Sequence, residues 1–84
     1  MNQLKLEIIS IDGILFSDSC NMAVVPCSLG EIGFMYGHEE LVSILKHGNI
    51  NVYDNNENII QSFEVSGEGF VKMQNPDKLM ILLK

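Results

Sequence analysis

Apolar residues in this chain recur at every second position, in short runs. Leu4, Leu6 and Ile8 alternate with Gln3, Lys5 and Glu7, and Ile50 and Val52 alternate with Asn49 and Asn51. A period of two places one set of side chains on one face of a strand, so each run buries one face and wets the other. Ile59, Phe63 and Val65 share a face in this way, as do Val71 with Met73, and Leu79 with Ile81 and Leu83.

Turn-forming residues separate the runs. Asp12-Gly13 is a tight-turn signal between apolar segments, and Ser17-Asp18-Ser19 is expected to break the strand Ile14-Leu15-Phe16. Met22 to Val25 reads as a strand closed by Pro26, which has no N–H for a central ladder. Gly30 to Gly33 reads as a turn ahead of a short strand, Phe34-Met35-Tyr36. Leu41 to Lys46 is too short to stand as an isolated helix and is read as extended. Asp54 to Asn58 is a polar loop, Ser66-Gly67-Glu68-Gly69 a hairpin turn, and Asn75-Pro76-Asp77-Lys78 another turn. Nothing reads as a long helix, a linker or a repeat. The pattern predicts an all-β fold, a small antiparallel β-sandwich or flattened barrel of about eight to ten short strands. Residues 1–84 are expected to form a single domain.

Charge and cysteine usage exclude several functions. The net charge is −6, the five basic residues are all lysine, and there is no arginine. That argues against nucleic-acid binding and removes any bidentate guanidinium clamp for phosphate or carboxylate. Lys5, Lys46, Lys72, Lys78 and Lys84 are scattered along the chain, unlike a patch for anionic lipid. Cys20 and Cys27 fit neither a disulfide framework nor a zinc spacing and are expected to be free, inert thiols. No run is long enough to insert into a membrane, and the N-terminus has no signal-peptide pattern.

The chemically suggestive groups have plainer readings. His38-Glu39-Glu40 with His47 offers metal-ligand types, but at no known ligand spacing. Imidazoles on a surface or interface fit better. No nucleophile motif accompanies the cysteines or serines. The glycines around Glu68 precede an apparent strand, whereas a phosphate loop needs a helix N-terminus. No cofactor and no small-molecule substrate are expected.

One segment is distinctive: Gly30-Glu31-Ile32-Gly33, then Phe34-Met35-Tyr36, then Gly37-His38. It reads as two glycine-bearing loops around a strand, a contact surface rather than an active site. Together with Leu4 to Ile9, Asp12-Gly13, Phe16-Ser17, Val24-Val25-Pro26, Leu41-Val42, Leu45-Lys46, Gly48, Phe63, Val65-Ser66-Gly67, Gly69-Phe70-Val71 and Leu79 to Leu82, it resembles a known family. That family is the epsilon subunit of the rotary ATP synthase, through its N-terminal β-sandwich domain, and the resemblance runs over essentially the whole chain. Three departures stand out. The family usually has Pro where this chain has Tyr36, and Ala-Pro where it has Glu39-Glu40, which implies a more acidic and less rigid loop. Glu68 is inserted into the usual Gly-Gly-Phe. The C-terminal helical hairpin common in the family is absent from these residues.

The resemblance implies a non-catalytic rotor subunit, peripheral on the cytoplasmic face of a bacterial inner membrane. Such a subunit binds gamma and rests on the membrane c-ring. Carried over, Gly30, Glu31, Ile32 and Gly33 are the expected c-ring contact, and Gly37, His38, Glu39, Glu40 and Leu41 the expected gamma contact. If the chain naturally ends here, neither inhibition of ATP hydrolysis nor ATP binding is expected of it. The alternative is a free-standing β-sandwich module for a ligand or protein.

Overall fold

The computed structural model describes residues 2–84. They form nine strands: β1 (Leu4–Ser10), β2 (Gly13–Cys20), β3 (Met22–Cys27), β4 (Gly30–Met35), β5 (Leu41–Ile44), β6 (His47–Tyr53), β7 (Ile59–Ser66), β8 (Gly69–Gln74) and β9 (Lys78–Leu83). A five-stranded sheet in the order β2-β1-β9-β8-β5 packs on a four-stranded sheet in the order β4-β3-β6-β7. Every pairing is antiparallel except β1 with β9, which runs parallel from Lys5 beside Lys78 to Ile9 beside Leu82.

The period-two residues line the space between the sheets, except Ile59, which lies beyond a bulge in β7 and is 54% exposed. Leu4, Leu6, Ile8, Val71, Met73, Leu79 and Ile81 of the five-stranded sheet and Phe34, Ile50 and Val52 of the four-stranded sheet join one buried cluster. Each fully buried aliphatic or aromatic side chain of this kind contributes about 1.5–3 kcal/mol. Cys20 and Cys27 lie in the same cluster as free thiols. Burial and, secondarily, the nearby Asp18 carboxylate push the Cys20 thiol up to about 11.

Four sequence expectations are corrected. Ser17-Asp18-Ser19 does not break a strand, because β2 runs through it to Cys20. These residues are polar because β2 is a sheet edge with exposed positions along most of its length. Pro26 does not close β3, which continues to Cys27 with Pro26 beside Glu31 of β4. Its ring fits because Gly48 lies against it; a Cβ there would come within 2.9 Å of Pro26 Cβ. Gly30 to Gly33 is not a turn but the first two-thirds of β4, and the turn falls at Ser28-Leu29 instead. Finally, Ser66 to Gly69 is no hairpin. It carries the chain from β7 in one sheet to β8 in the other. Gly69 adopts φ +131°, and a Cβ there would collide with the Leu82 carbonyl.

One corner ties the sheets together by backbone. The Leu45 N–H donates to Gly69 O at 3.1 Å, while Leu45 itself bridges Cys27 of β3. Ser28 N donates to Ile44 O at 3.0 Å and Lys46 N to Pro26 O at 2.9 Å. On the far side the sheets meet through Phe16 of β2 and Phe63 of β7, edge to face at 6.2 Å.

Candidate contact surfaces at the two ends of an edge strand

Both expected contact segments belong to β4 and the loop that follows it. Gly30 pairs with Cys27 and Glu31 with Pro26, which places them at the end of the sandwich where Leu45 crosses between sheets. Glu31 is exposed, and Ile32 turns inward onto the core. Gly33 faces outward under Met22, whose Sδ would lie 3.3 Å from a Cβ. Its lack of a side chain therefore lets Met22 lie flat across the edge strand. Of the four expected c-ring residues, then, Glu31 and Gly33 are exposed, Gly30 is half-buried and Ile32 is partly core.

Six residues of β4 carry the chain about 17 Å to the opposite end. There Tyr36-Gly37 turns, Gly37 at φ +86°, and the loop leads to Leu41 at the start of β5. The imidazole of His38 is half-buried against the Phe34 ring at 4.8 Å. Its Nδ1 lies 2.8 Å from Glu39 O. Glu39 and Glu40 are exposed, whereas Leu41 packs partly on the core.

The expected looseness of this loop is offset by a neighbour distant in the chain. The turn between β8 and β9 clamps the loop: Gly37 N donates to Pro76 O at 2.7 Å, and Asn75 Nδ2 donates to His38 O at 3.0 Å. Asn75-Pro76 signalled a turn in the sequence, but nothing local could show that the turn would hold a loop 37 residues away.

Other residues emerge only from the fold. Leu29 is 94% exposed at the turn beside Glu31. Ile11, 85% exposed, tips the β1–β2 turn at the same end of the sandwich. On the outer face of the five-stranded sheet, Ile9, Leu82, Phe70 and Ile44 lie side by side across four strands. The lysines are also less scattered than the sequence implied. Lys5, Lys72 and Lys78 line one open groove of about 520 Å³, where Glu7 and Asp18 offset much of their charge. Lys5 also pairs with Asp77 at 3.5 Å, an exposed contact of at most about 1 kcal/mol. His38 and His47 are not gathered with carboxylates: no group of three metal-ligating side chains forms among the described residues.

A model of the ATP synthase delta/epsilon chain β-sandwich domain matches residues 3–84. The chain belongs to this family. An ATP synthase epsilon chain from Granulibacter bethesdensis is 34% identical over 82 residues, covering 98% of this chain and 58% of that protein. Another, from Staphylococcus saprophyticus, is 35% identical over 86 residues and covers all of this chain and 60% of its own length. One from Campylobacter fetus is 44% identical over 52 residues, 62% of this chain and 40% of the relative. The chain thus spans about half the length of the curated relatives it matches. A chain in the cryo-EM structure of the Euglena gracilis mitochondrial ATP synthase, OSCP/F1/c-ring, superposes with a TM-score of 0.85 at 22% identity. It covers 96% of this chain and 50% of that one, and at that identity it supports the fold alone. The delta/epsilon sandwich described here holds no helix long and apolar enough to cross a membrane among its described residues.

Proposed function

We propose that this chain is a non-catalytic central-stalk subunit of an ATP synthase, joining the gamma subunit to the membrane c-ring on the cytoplasmic face of a bacterial membrane. The observation that carries the reading is the placement of the two expected contact segments at opposite ends of one edge strand, β4. A rigid spacer with a partner at each end is what transmits torque. The Glu31 end presents a carboxylate beside the exposed Leu29, suited to a basic and apolar loop surface. At the other end the His38 loop is clamped by Asn75-Pro76, so it meets a partner preformed.

The test is reconstitution with the matching gamma subunit, read by size-exclusion chromatography with light scattering. A stoichiometric complex is expected, weakened by His38→Ala and unaffected by Glu31→Ala. Absence of a complex at micromolar concentrations, or weakening by Glu31→Ala instead, would overturn this assignment of faces.

A further inference from the structure

The two sides of the sandwich differ in how their strand edges are finished. β7 pairs with β6 along one side, and among the described residues no strand lies on its other side. It is eight residues long, and its sequence Ile-Ile-Gln-Ser-Phe-Glu-Val-Ser holds none of the lysines or prolines that usually blunt a free edge. Ile59 and Ile60 are 54% and 47% exposed there. The register is broken between Val52 and Tyr53, opposite Ile60, but is unbroken from Gln61 to Ser66. The companion edge, β2, is less open. The Asp18 carboxylate accepts the Ser19 N–H at 2.7 Å, and a bulge opposite Leu15 interrupts its ladder.

Beside the regular half of β7 lies an open recess of about 320 Å³. Leu15, Val65 and Leu83 supply its apolar surface, and Asp12, Glu64 and Glu68 supply carboxylates against the single lysine, Lys84. A free main-chain edge, an adjoining recess with an apolar lining and an acidic rim define the chemistry of an occupant. Unpaired N–H and C=O groups are satisfied by another strand, the recess accepts one apolar side chain from its inward face, and the rim favours cations on either side.

We propose that the β7 edge from Gln61 to Ser66 takes up an extended segment of a partner chain in which apolar and basic residues alternate. Two strands, β3 and β6, separate this edge from β4, although Ser66 and the recess lie at the same end of the sandwich as Glu31.

The probe is a capped heptapeptide of alternating lysine and valine, titrated into the 84-residue chain with amide NMR and hydrogen exchange as readouts. Saturable binding is expected, with new exchange protection confined to β7. The same peptide N-methylated at alternate amides should bind at least about tenfold more weakly, because it keeps its charge but loses its strand edge. A Glu64→Lys and Glu68→Lys double variant, both exposed positions, should also lose about tenfold while keeping its circular dichroism. Equal binding of the N-methylated peptide would reduce the effect to bulk electrostatics and overturn the proposal. So would protection at β2, an absence of saturable binding, or dimerisation of the chain through β7 in place of peptide uptake.

Discussion

The corner from Ile44 to His47 and the seam between β2 and β7 face opposite sides of the same core, and they are built differently. At the corner, backbone hydrogen bonds from Leu45, Lys46 and Ser28 reach into both sheets, so the sheets cannot separate there without breaking ladders. At the seam, one aromatic contact between Phe16 and Phe63 spans the gap. The difference teaches that a small sandwich need not be uniformly closed. This one is fastened next to the strand that carries both expected contacts, and left open where a strand could be added.

The largest expected effect tests that contrast directly. Leu45 is buried at the corner, and Leu45→Ala should cost about 3 kcal/mol in urea unfolding. Phe63 at the seam is half-buried, and Phe63→Ala should cost about 1.5 kcal/mol despite removing the larger side chain. An equal or reversed order of the two losses would break the comparison.

A smaller effect concerns the clamp at the far end of β4. Asn75→Ala removes the donor to the His38 carbonyl and should lower global stability by about 1 kcal/mol or less. The amide of Gly37 should nevertheless exchange faster, by about fivefold, because its opening is local. Unchanged exchange at Gly37 would mean that the loop is held by Pro76 alone.

The smallest is a dependence on alkaline pH. The folded Cys20 thiol, raised from 9.0 to about 11, holds its proton more tightly than the unfolded chain does. Its contribution is therefore fully present below about pH 9 and is lost as pH climbs towards 11. Cys27 is raised as well, chiefly by burial. Urea midpoints at neutral pH and near pH 10.5 should thus fall less in a Cys20→Ala variant than in the parent. An identical fall in both would remove this thiol from the account.

The core was largely legible in advance, because alternation marks a buried face whatever the partner strand. Leu4, Leu6, Ile8, Ile50, Val52, Val71 and Met73 all went inside as their spacing required. Misreadings clustered where a residue type has two uses. Glycine can turn a chain, as Gly37 does, or leave room for a neighbour, as Gly33 does for Met22. Polar residues can end a strand, or decorate an edge strand such as β2. Proline can close a strand, but Pro26 lies inside β3, where room for its ring depends on Gly48 in another strand. Of the candidate surfaces, Glu31 and His38 could be named from the sequence. The clamp from Asn75 and the acidic recess beside β7 join residues too far apart in the chain for any local pattern to reveal.

The parallel pairing of β1 with β9 bears on how the molecule is made. β1 must wait for β9, since β9 is inserted between β1 and β8 and no other described strand joins those halves of the five-stranded sheet. The five-stranded sheet is therefore completed only when the six residues from Lys78 to Leu83 pair with β1, acting as the keystone of a long-range ladder.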